Sequence, residues 1–342
     1  MKIGYSSFEL KLRYPFTIAR FSRTSTPIVL LDITDEGMIG YGEASMVPYM
    51  GENIETAMEF LKAVDLSWLK APYNFEEVTA YLDQIAPGNP SIKAAIDIAL
   101  HDLAGKQAGI PCYQMFGSDP GKMPETSYTL GIDSPEVIIQ KLKEAGDCRI
   151  IKVKLGRDND QELIQTIRTV TDRPLFIDAN QGWNDRQQGL DMACWLAEHG
   201  ALLIEQPMPK EDYDGNAWLT EHSPIPIIAD EAVQRITDIE KLKGAYHGIN
   251  MKLMKSAGMG EGFRMIKRAR ELDMKVLIGC MSETSCGTLA AAALAPLCDW
   301  ADLDGPFLTS NNPYQDPEFA EGKWVLSDEP GLGLEEKVSE SK

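Results

Sequence analysis

Five charged residues recur through the middle of the chain, each at or near the end of a short apolar run. They are Lys154, Asp178, Glu205, Asp230 and Lys252, and successive members are 24, 27, 25 and 22 residues apart. That interval suits one strand plus one helix, and such apolar runs are typical of buried parallel strands. Parallel strands that lie side by side would bring the five side chains to the carboxyl-terminal mouth of a barrel. Three carboxylates flanked by two amines predict a divalent metal with a base on either side.

The three carboxylates, Asp178, Glu205 and Asp230, supply oxygen ligands without histidine or cysteine. Such a set favours a hard cation, Mg²⁺ above all. Each carboxylate could instead cap the helix that follows it, as Asp and Glu often do. Three consecutive strand ends that carry one carboxylate each favour the metal over the caps.

Two lysines, Lys152 and Lys154, lie two residues apart on one predicted strand, so both project to the same face. Their apolar neighbours must face the helices of a barrel, which turns both lysines inward. Buried amines need partners, and the carboxylates and an anionic substrate would supply them. On the opposite side of the ring, Lys252 is favoured as the second base over Lys255, which lies past the apolar run. Two bases on opposite faces of one carbon can remove a proton from one side and return one from the other.

Composition limits the class of protein. The chain has 342 residues, of which 44% are hydrophobic, and a net charge of −19. This charge argues against nucleic acid as a partner, because phosphate binding needs a clustered positive surface. No apolar run is long enough to predict a membrane span, and the amino terminus has no signal-peptide pattern. Six scattered cysteines fit reduced thiols, so we expect a cytoplasmic protein; for Cys280 a buried structural thiol is favoured over a nucleophile.

The predicted elements divide the chain into two patterns. Residues 1 to about 45 alternate apolar and polar residues as an antiparallel meander does. Helical periodicity follows over residues 53–70, 74–86 and 89–108. Strands followed by a block of helices predict an α+β capping domain over residues 1–124.

From Ser127 the pattern changes to strict alternation of strands and helices. The eight strand candidates are residues 127–132, 150–155, 174–179, 201–206, 225–230, 248–253, 274–280 and 300–304. They predict an α/β fold with a (β/α)₈-type barrel over residues 125–309. A doubly wound open sheet competes with the barrel, but it would typically carry a glycine-rich turn after its first strand, and none is present. The C-terminal segment, residues 310–342, is expected to return to the capping domain and complete it.

Five motifs carry a resemblance to a known family: Lys152-Val-Lys154, Asp178-Ala-Asn-Gln-Gly-Trp183, Glu205-Gln-Pro207, Ala229-Asp-Glu231 and Asn250-Met-Lys-Leu-Met-Lys255. Together they resemble the enolase superfamily in its muconate-lactonizing-enzyme subgroup, over nearly the whole chain. The resemblance implies an acid/base pair, one Mg²⁺ per subunit with three ligands, and a lysine on the substrate carboxylate. The acid/base pair would be Lys154 and Lys252, and the lysine on the substrate carboxylate would be Lys152. The three Mg²⁺ ligands would be Asp178, Glu205 and Asp230.

After the eighth strand candidate, Asp302-Leu-Asp304 resembles the Asp-x-Asp of dipeptide epimerases. In that family the two carboxylates hold the ammonium group of the amino-terminal residue. Here, they could instead cap or solvate a loop. Further matches to the family's substrate-contact positions are Thr129, Met281, Ser282 and Glu283. A loop expected to present a cation to an acidic substrate side chain contains two arginines, of which Arg20 is preferred and Arg23 is the alternative.

The resemblance therefore implies a Mg²⁺-dependent dipeptide epimerase that inverts the α-carbon of the carboxy-terminal residue by 1,1-proton transfer. If an arginine of the loop faces the cavity, the leading substrate is L-Ala-D/L-Glu, a fragment of peptidoglycan, which implies cell-wall peptide recycling. One alternative is an o-succinylbenzoate synthase, N-acylamino-acid racemase or cycloisomerase of the same subgroup, against which the paired aspartates argue. Another is a non-catalytic barrel that binds a metal and a carboxylate, against which the complete set of bases and ligands argues. The expected partner is the small dipeptide. Barrels of this family commonly associate, but the sequence does not give the oligomeric state.

Overall fold

A computed structural model of the protein describes residues 1–17, 22–46, 50–156 and 159–337. The chain begins with an antiparallel sheet of three strands, β1 Lys2–Thr17, β2 Ser22–Asp35 and β3 Met38–Ser45. The tight turn between the second and third strands contains Glu36 and Gly37, both with positive φ, as such hairpin turns require. The sheet confirms the predicted meander.

Four helices follow the sheet: α1 Ile54–Lys62, α2 Phe75–Ile85, α3 Pro90–Ala108 and α4 Cys112–Met115. The first is shorter than the predicted span of residues 53–70. Beyond it, Asp65 Oδ1 accepts the Ser67 amide over 2.9 Å, and the Asp65 amide donates to the Tyr81 hydroxyl over 2.7 Å. These local bonds satisfy the backbone outside a helix, so the helix ends early. In the described part of the chain, no helix is long and apolar enough to cross a membrane.

Eight parallel strands form the largest sheet, and each pairs with the next strand in the chain. They are β4 Ser127–Leu130, β5 Ile150–Lys154, β6 Leu175–Asp178, β7 Ala201–Glu205, β8 Ile227–Ala229, β9 Gly248–Lys252, β10 Lys275–Gly279 and β11 Trp300–Asp302. A parallel bridge between Thr126 and Ala301 brings the last strand alongside the first and nearly closes the ring. The eight predicted strands and the (β/α)₈-type barrel are confirmed.

Helices on the outside of the ring connect the strands. They are α5 Pro135–Glu144, α6 Asp160–Arg168, α7 Arg186–Glu198, α8 Tyr213–His222, α9 Ile239–Leu242, α10 Met259–Glu271 and α11 Ser285–Ala292. After the last barrel strand, the described residues up to 337 form the short helix α12 Gly305–Leu308 and the two-stranded ribbon β12 Phe319–Ala320 and β13 Lys323–Trp324.

Inside the barrel, an apolar layer lies beneath the polar strand ends. Ile150, Phe176, Leu203, Ile228 and Leu277 form one buried cluster. Four of them lie two residues before the strand-end positions 178, 205, 230 and 279, and Ile150 lies four residues before Lys154, so all five share the inward face. This apolar layer separates the strand-end groups from the other end of the barrel, which strengthens the electrostatic interactions above it.

Strand β3 and the C-terminal segment hold the capping elements against the barrel. Gly42 packs directly on α3, where a Cβ atom would overlap the Ala95 carbonyl oxygen. At the end of β3, the Ser45 hydroxyl donates to the Ser282 carbonyl over 2.7 Å. In the C-terminal segment, the Leu332 amide donates to Asp102 Oδ1 of α3 over 2.8 Å. The division into domains at residues 124 and 309 stays a prediction.

Candidate active site

The carboxyl ends of the barrel strands open into one cavity of about 380 Å³, a size usual for small-molecule sites. The strand register aligns the site: Asp178 lies level with Lys154 on one side and Glu205 on the other. Across the ring, Gly279 lies level with both Lys252 and Asp302. The cavity wall includes Phe16, Arg23, Thr129, Lys152, Lys154, Asp230, Lys252, Cys280, Met281, Ser282, Asp302, Asp304 and Leu308.

Asp178, Glu205 and Asp230 form a compact carboxylate cluster. Each offers one oxygen, and these oxygens all lie within 4.8 Å of one another in buried surroundings. Asn250 Nδ2 donates to Glu205 Oε1 over 2.7 Å, and the Asn180 amide donates to Asp178 Oδ1 over 3.0 Å, so neighbours orient two of the three. A set of converging, oriented carboxylate oxygens fits a hard divalent cation.

Four lysines compensate the negative charge of the carboxylate cluster. Lys154 of β5 and Lys252 of β9 are four strands apart in a ring of eight, so they face each other across the cavity. Besides its bond to the Asp230 carboxylate, Lys255 donates to the backbone carbonyls of Asp230 and Asn250, over 2.7 and 3.1 Å. The short distances from lysine Nζ to carboxylate oxygen are 2.6 Å for Lys152–Glu205, 2.5 Å for Lys154–Asp178, 2.8 Å for Lys252–Asp230 and 2.5 Å for Lys255–Asp230.

Burial and the charge of neighbouring groups oppose each other in setting the pKa of Lys152 and of Asp178, but burial and the nearest negative charge act together on Glu205. Burial alone would lower the pKa of Lys152, but the charges of Asp302 and Glu205 outweigh it and raise that pKa well above its ordinary value. Burial and the charge of Asp178 raise the pKa of Glu205 to about 8. Burial would also raise the pKa of Asp178, but Lys154 outweighs it and lowers that pKa. A divalent cation would displace the proton from Glu205, since metal ligands bind deprotonated.

The two aspartates after β11 have different partners. Asp302 Oδ2 accepts from Lys152 Nζ over 2.7 Å, and its Oδ1 accepts from the Ser127 hydroxyl over 2.6 Å. Asp304 Oδ2 accepts the Thr129 amide over 2.7 Å. Burial, reinforced by the charge of Asp302, raises the pKa of Asp304 to about 6. Burial would raise the pKa of Asp302 as well, but Lys152 holds it below its ordinary value.

The structure places one of the two candidate arginines at the cavity. Arg23 Nη2 donates to the Ser282 hydroxyl over 2.9 Å, and the guanidinium carbon lies 5.8 Å from the centroid of the Phe16 ring. Arg20, the preferred arginine, lies outside the described residues. Met281, also a sequence candidate, lines the cavity beside Ser282.

Glu283 lies behind the cavity wall. Its Oε1 accepts the Met281 amide over 2.7 Å, and the residue is 1% exposed. Burial and the charge of Glu43 raise the pKa of Glu283 to about 8. Glu43 comes from β3 and accepts the amides of Thr284 and Gly287, over 2.9 and 3.1 Å, at the start of α11. The visible contact of Glu283 is thus with the loop backbone, and its contact with substrate stays a prediction.

Sequence reasoning missed several wall residues. Cys280, which the sequence analysis favours as a buried structural thiol, was not expected to line the cavity, but it does. Burial and the charge of Asp304 raise the pKa of its thiol well above the ordinary value, which disfavours a thiolate nucleophile. The other residues that sequence reasoning missed lie in β1, in α12, in loops or beside a metal ligand. For those beside a metal ligand, adjacency to Asp178 or Asp230 is the signal in the sequence. The complete set of these missed residues is Phe16, Asn180, Gln181, Pro209, Lys210, Glu211, Glu231, Gln234 and Leu308.

Known families match both parts of the chain. Residues 137–340 match the family described as enolase C-terminal domain-like, and residues 4–117 match the mandelate racemase / muconate lactonizing enzyme N-terminal domain. The L-Ala-D/L-Glu epimerase of Bacteroides thetaiotaomicron is 52% identical over 335 residues, which cover 98% of this chain and 88% of that protein.

Two solved structures share the fold over almost the full length. The substrate-liganded complex of the L-Ala-D/L-Glu epimerase from Bacillus subtilis matches with a TM-score of 0.90 and 28% identity, over 98% of each chain. The dipeptide epimerase from Enterococcus faecalis, complexed with Mg and the dipeptide L-Leu-L-Tyr, matches with a TM-score of 0.87 and 31% identity, over 97% of this chain and 98% of that chain. The similarity thus spans the capping elements and the barrel together.

Proposed function

The chain belongs to the mandelate racemase / muconate lactonizing enzyme family of enolase-like proteins, and we propose that it is a Mg²⁺-dependent dipeptide epimerase. It inverts the α-carbon of the carboxy-terminal residue of L-Ala-D/L-Glu. One observation carries the proposal: Lys154 and Lys252 face each other across a cavity that also holds the carboxylate cluster. The 52% identity to the Bacteroides epimerase supports the choice of substrate.

The proposed metal ligands are Asp178, Glu205 and Asp230. Their buried, converging oxygens suit one Mg²⁺ per subunit, and the similar Enterococcus faecalis structure is a complex with Mg. A bound Mg²⁺ would supply positive charge beside the substrate carboxylate and so make the adjacent α-proton more acidic.

The lysines perform the proton transfer. Lys152 holds the substrate carboxylate with its ammonium group. One of Lys154 and Lys252, as a neutral amine, removes the α-proton, and the other, as an ammonium, delivers a proton to the opposite face. Because the two amines stand on opposite sides of the cavity, the α-carbon is inverted, and the direction of the reaction decides which lysine acts as base.

Arg23 is the residue that we assign to the acidic side chain of the substrate. Its guanidinium lies on the cavity wall beside Ser282, and a guanidinium can bind a carboxylate through two parallel hydrogen bonds. The acidic pair Asp302 and Asp304 would accept the amino-terminal ammonium group, which disfavours related racemases and cycloisomerases whose substrates have no such cation. Recycling of peptidoglycan peptides in the cytoplasm is the role that follows from this substrate, and self-association stays a prediction.

Proton NMR in D₂O tests the proposal. With the enzyme, Mg²⁺ and L-Ala-L-Glu, we expect the glutamate α-proton signal to disappear while the L,D diastereomer grows. No exchange with this dipeptide, or with a panel of other dipeptides, would contradict the proposed activity.

Two lysine variants test the assignment of the bases. Lys154→Ala and Lys252→Ala should each lose epimerisation by about 10²–10⁴-fold or more. Each variant should still exchange the α-proton of only one diastereomer, and the two variants should differ in which one. Lys62→Ala, which changes an exposed lysine of α1, is the matched control and should keep the wild-type rate. Wild-type turnover in either active-site variant would remove that lysine from the mechanism.

A further inference from the structure

The loop between β10 and α11 connects the cavity wall to the capping sheet, which consists of β1 to β3. Ser282 of this loop lines the cavity. The Ser45 hydroxyl, at the end of β3, donates to the Ser282 carbonyl over 2.7 Å. Glu43, also on β3, accepts the Thr284 amide over 2.9 Å. These partners are 237 and 241 residues apart in the chain, so the capping sheet helps to set the path of a loop that belongs to the barrel.

Glu43 makes the more extensive of these contacts. Its two oxygens accept three donors at the start of α11: the Thr284 amide, the Thr284 hydroxyl and the Gly287 amide. The residue is 0% exposed. A carboxylate at this place satisfies backbone amides that have no partner within the helix. Glu43 therefore fixes the first turn of α11 and, with it, the loop residues that come directly before the helix.

The same loop contacts Arg23 through a side chain. Arg23 Nη2 donates to the Ser282 hydroxyl over 2.9 Å, and both residues line the cavity. An arginine side chain loses much rotational freedom when it is ordered. A guanidinium that the protein already holds in place loses less of this freedom when it binds a carboxylate, so the affinity is higher. The position of Ser282 thus affects how well Arg23 can bind an acidic side chain.

We propose that Glu43 is a positioning residue for substrate specificity: it fixes the loop so that Ser282 holds the Arg23 guanidinium where the acidic side chain of the substrate binds. This inference rests on the proposed epimerase function and on the role assigned there to Arg23. Because Glu43 is fully buried, it acts through the loop and does not contact the substrate. The preference for an acidic side chain therefore depends on a bond between the capping sheet and the barrel.

Two dipeptides that differ only in the charge of one side chain test the proposal. They are L-Ala-L-Glu and L-Ala-L-Gln, and we expect the wild type to have the higher kcat/KM with L-Ala-L-Glu. Arg23→Ala should remove most of this preference. Glu43→Gln keeps the shape of the side chain but has one acceptor oxygen in place of two. It should reduce the preference about tenfold, the effect of one hydrogen bond, through a higher KM for L-Ala-L-Glu and with kcat nearly unchanged on both dipeptides.

The ratio of the two substrates separates positioning from a loss of folded protein. A variant that is partly unfolded has a lower kcat on both dipeptides by the same factor, and its preference is unchanged. Glu43→Asp keeps the charge and should restore part of the preference. Glu9→Gln, which changes an exposed carboxylate of the same sheet, is the matched control and should behave as the wild type.

A double variant tests whether Glu43 acts through Ser282. Ser282→Ala removes the bond to Arg23 directly and should reduce the preference by a factor similar to that of Glu43→Gln. If both residues act through this one bond, the two substitutions together should reduce the preference no further than Ser282→Ala alone. Two outcomes would overturn the proposal: an unchanged preference in Glu43→Gln, or a further loss in the double variant equal to that of Glu43→Gln alone.

A crystal structure of Glu43→Gln tests the positioning without substrate. We expect the bond from Arg23 Nη2 to Ser282 Oγ to be lost, and an unchanged distance of 2.9 Å would contradict the proposal. Failure of the proposed function has a different signature. A wild-type enzyme that exchanges the α-proton of neither dipeptide would contradict the epimerase, whereas the crystal structure would still decide whether Glu43 positions Arg23.

Discussion

The two acidic groups at the mouth of the barrel balance their charge in different ways. In the carboxylate cluster of β6 to β8, Asp178, Glu205 and Asp230 each have a lysine Nζ within 2.8 Å. At the closing seam, the junction of β4 and β11 that closes the barrel, Asp302 accepts from Lys152, whereas Asp304 accepts from the Thr129 backbone amide. A lysine amine is mobile and can yield its place to a metal cation, but a backbone amide cannot move away. The first arrangement therefore suits a site that binds a metal, and the second holds the Asp304 carboxylate in a fixed position on the cavity wall.

The carboxylate cluster should show the largest effect when its charge is changed. Glu205→Gln keeps the shape of the side chain but removes one of the proposed metal ligands. Because metal activation contributes several kcal/mol to such reactions, we expect kcat/KM to fall by about 10³-fold or more and Mg²⁺ affinity to fall with it. Isothermal titration with Mg²⁺ and the NMR exchange assay measure the two effects. Glu55→Gln on the exposed side of α1 is the control, and wild-type Mg²⁺ affinity in Glu205→Gln would refute the ligand assignment.

Glu283, a buried carboxyl group between β10 and α11, should affect the free energy of unfolding by a few kcal/mol through its charge. Its folded-state pKa of about 8 lies above its ordinary value of 4.5. Between these two pH values the folded protein holds a proton that the unfolded chain has released, so stability falls as pH rises, by at most about 1.4 kcal/mol per pH unit. Glu283→Gln stays neutral and lacks this penalty. Urea unfolding should therefore show the variant gaining stability relative to the wild type from pH 5 to pH 8.

A constant difference in unfolding free energy between Glu283→Gln and the wild type over that range would mean that Glu283 has an ordinary pKa in the folded protein. The comparison needs no substrate or metal, so it tests the pKa of Glu283 separately from catalysis. A repeat with saturating Mg²⁺ checks that the carboxylate cluster does not cause the pH dependence.

Asp304 should give a smaller, functional pH effect. Its pKa of about 6 means that the carboxylate is protonated below this pH and can no longer pair with an ammonium group. We expect KM for the dipeptide to rise about tenfold per pH unit below pH 6 and to stay level above it. N-propanoyl-L-glutamate, which lacks the ammonium group, should not show this rise. If both substrates show it, the titrating group acts on a feature common to both.

The sequence predicts the positions of the strand-end residues because their spacing follows directly from the strand and helix lengths. Asp178 and Glu205 lie at the predicted place since each ends an apolar run of a parallel barrel. The partners of these residues are harder to predict. Ser127 and Asp302 are 175 residues apart, and only the closure of the ring brings them together.

The capping sheet shows why the sequence alone does not decide between Arg20 and Arg23. Arg23 pairs with Phe16 in the β1–β2 hairpin, after a register shift between Lys11 and Phe16. Such a shift leaves no mark in the alternation of apolar and polar residues, yet it decides which side chains face the barrel. The position of Arg20 and its contact with substrate stay predictions.

The smallest effect that we predict concerns the closing seam as a structural joint. Strands β5 to β10 are joined to both neighbours by parallel ladders, whereas the seam relies on side chains such as Thr126, whose hydroxyl accepts the Leu303 amide. Thr126→Val keeps the shape but leaves a buried amide unpaired, which should cost about 1 kcal/mol in the free energy of unfolding. Thr166→Val, on an exposed face of α6, should change it by less than about 0.5 kcal/mol. Equal urea midpoints for the two variants would show that the backbone bridge alone closes the barrel, and that the hydroxyl of Thr126 adds no stability to the seam.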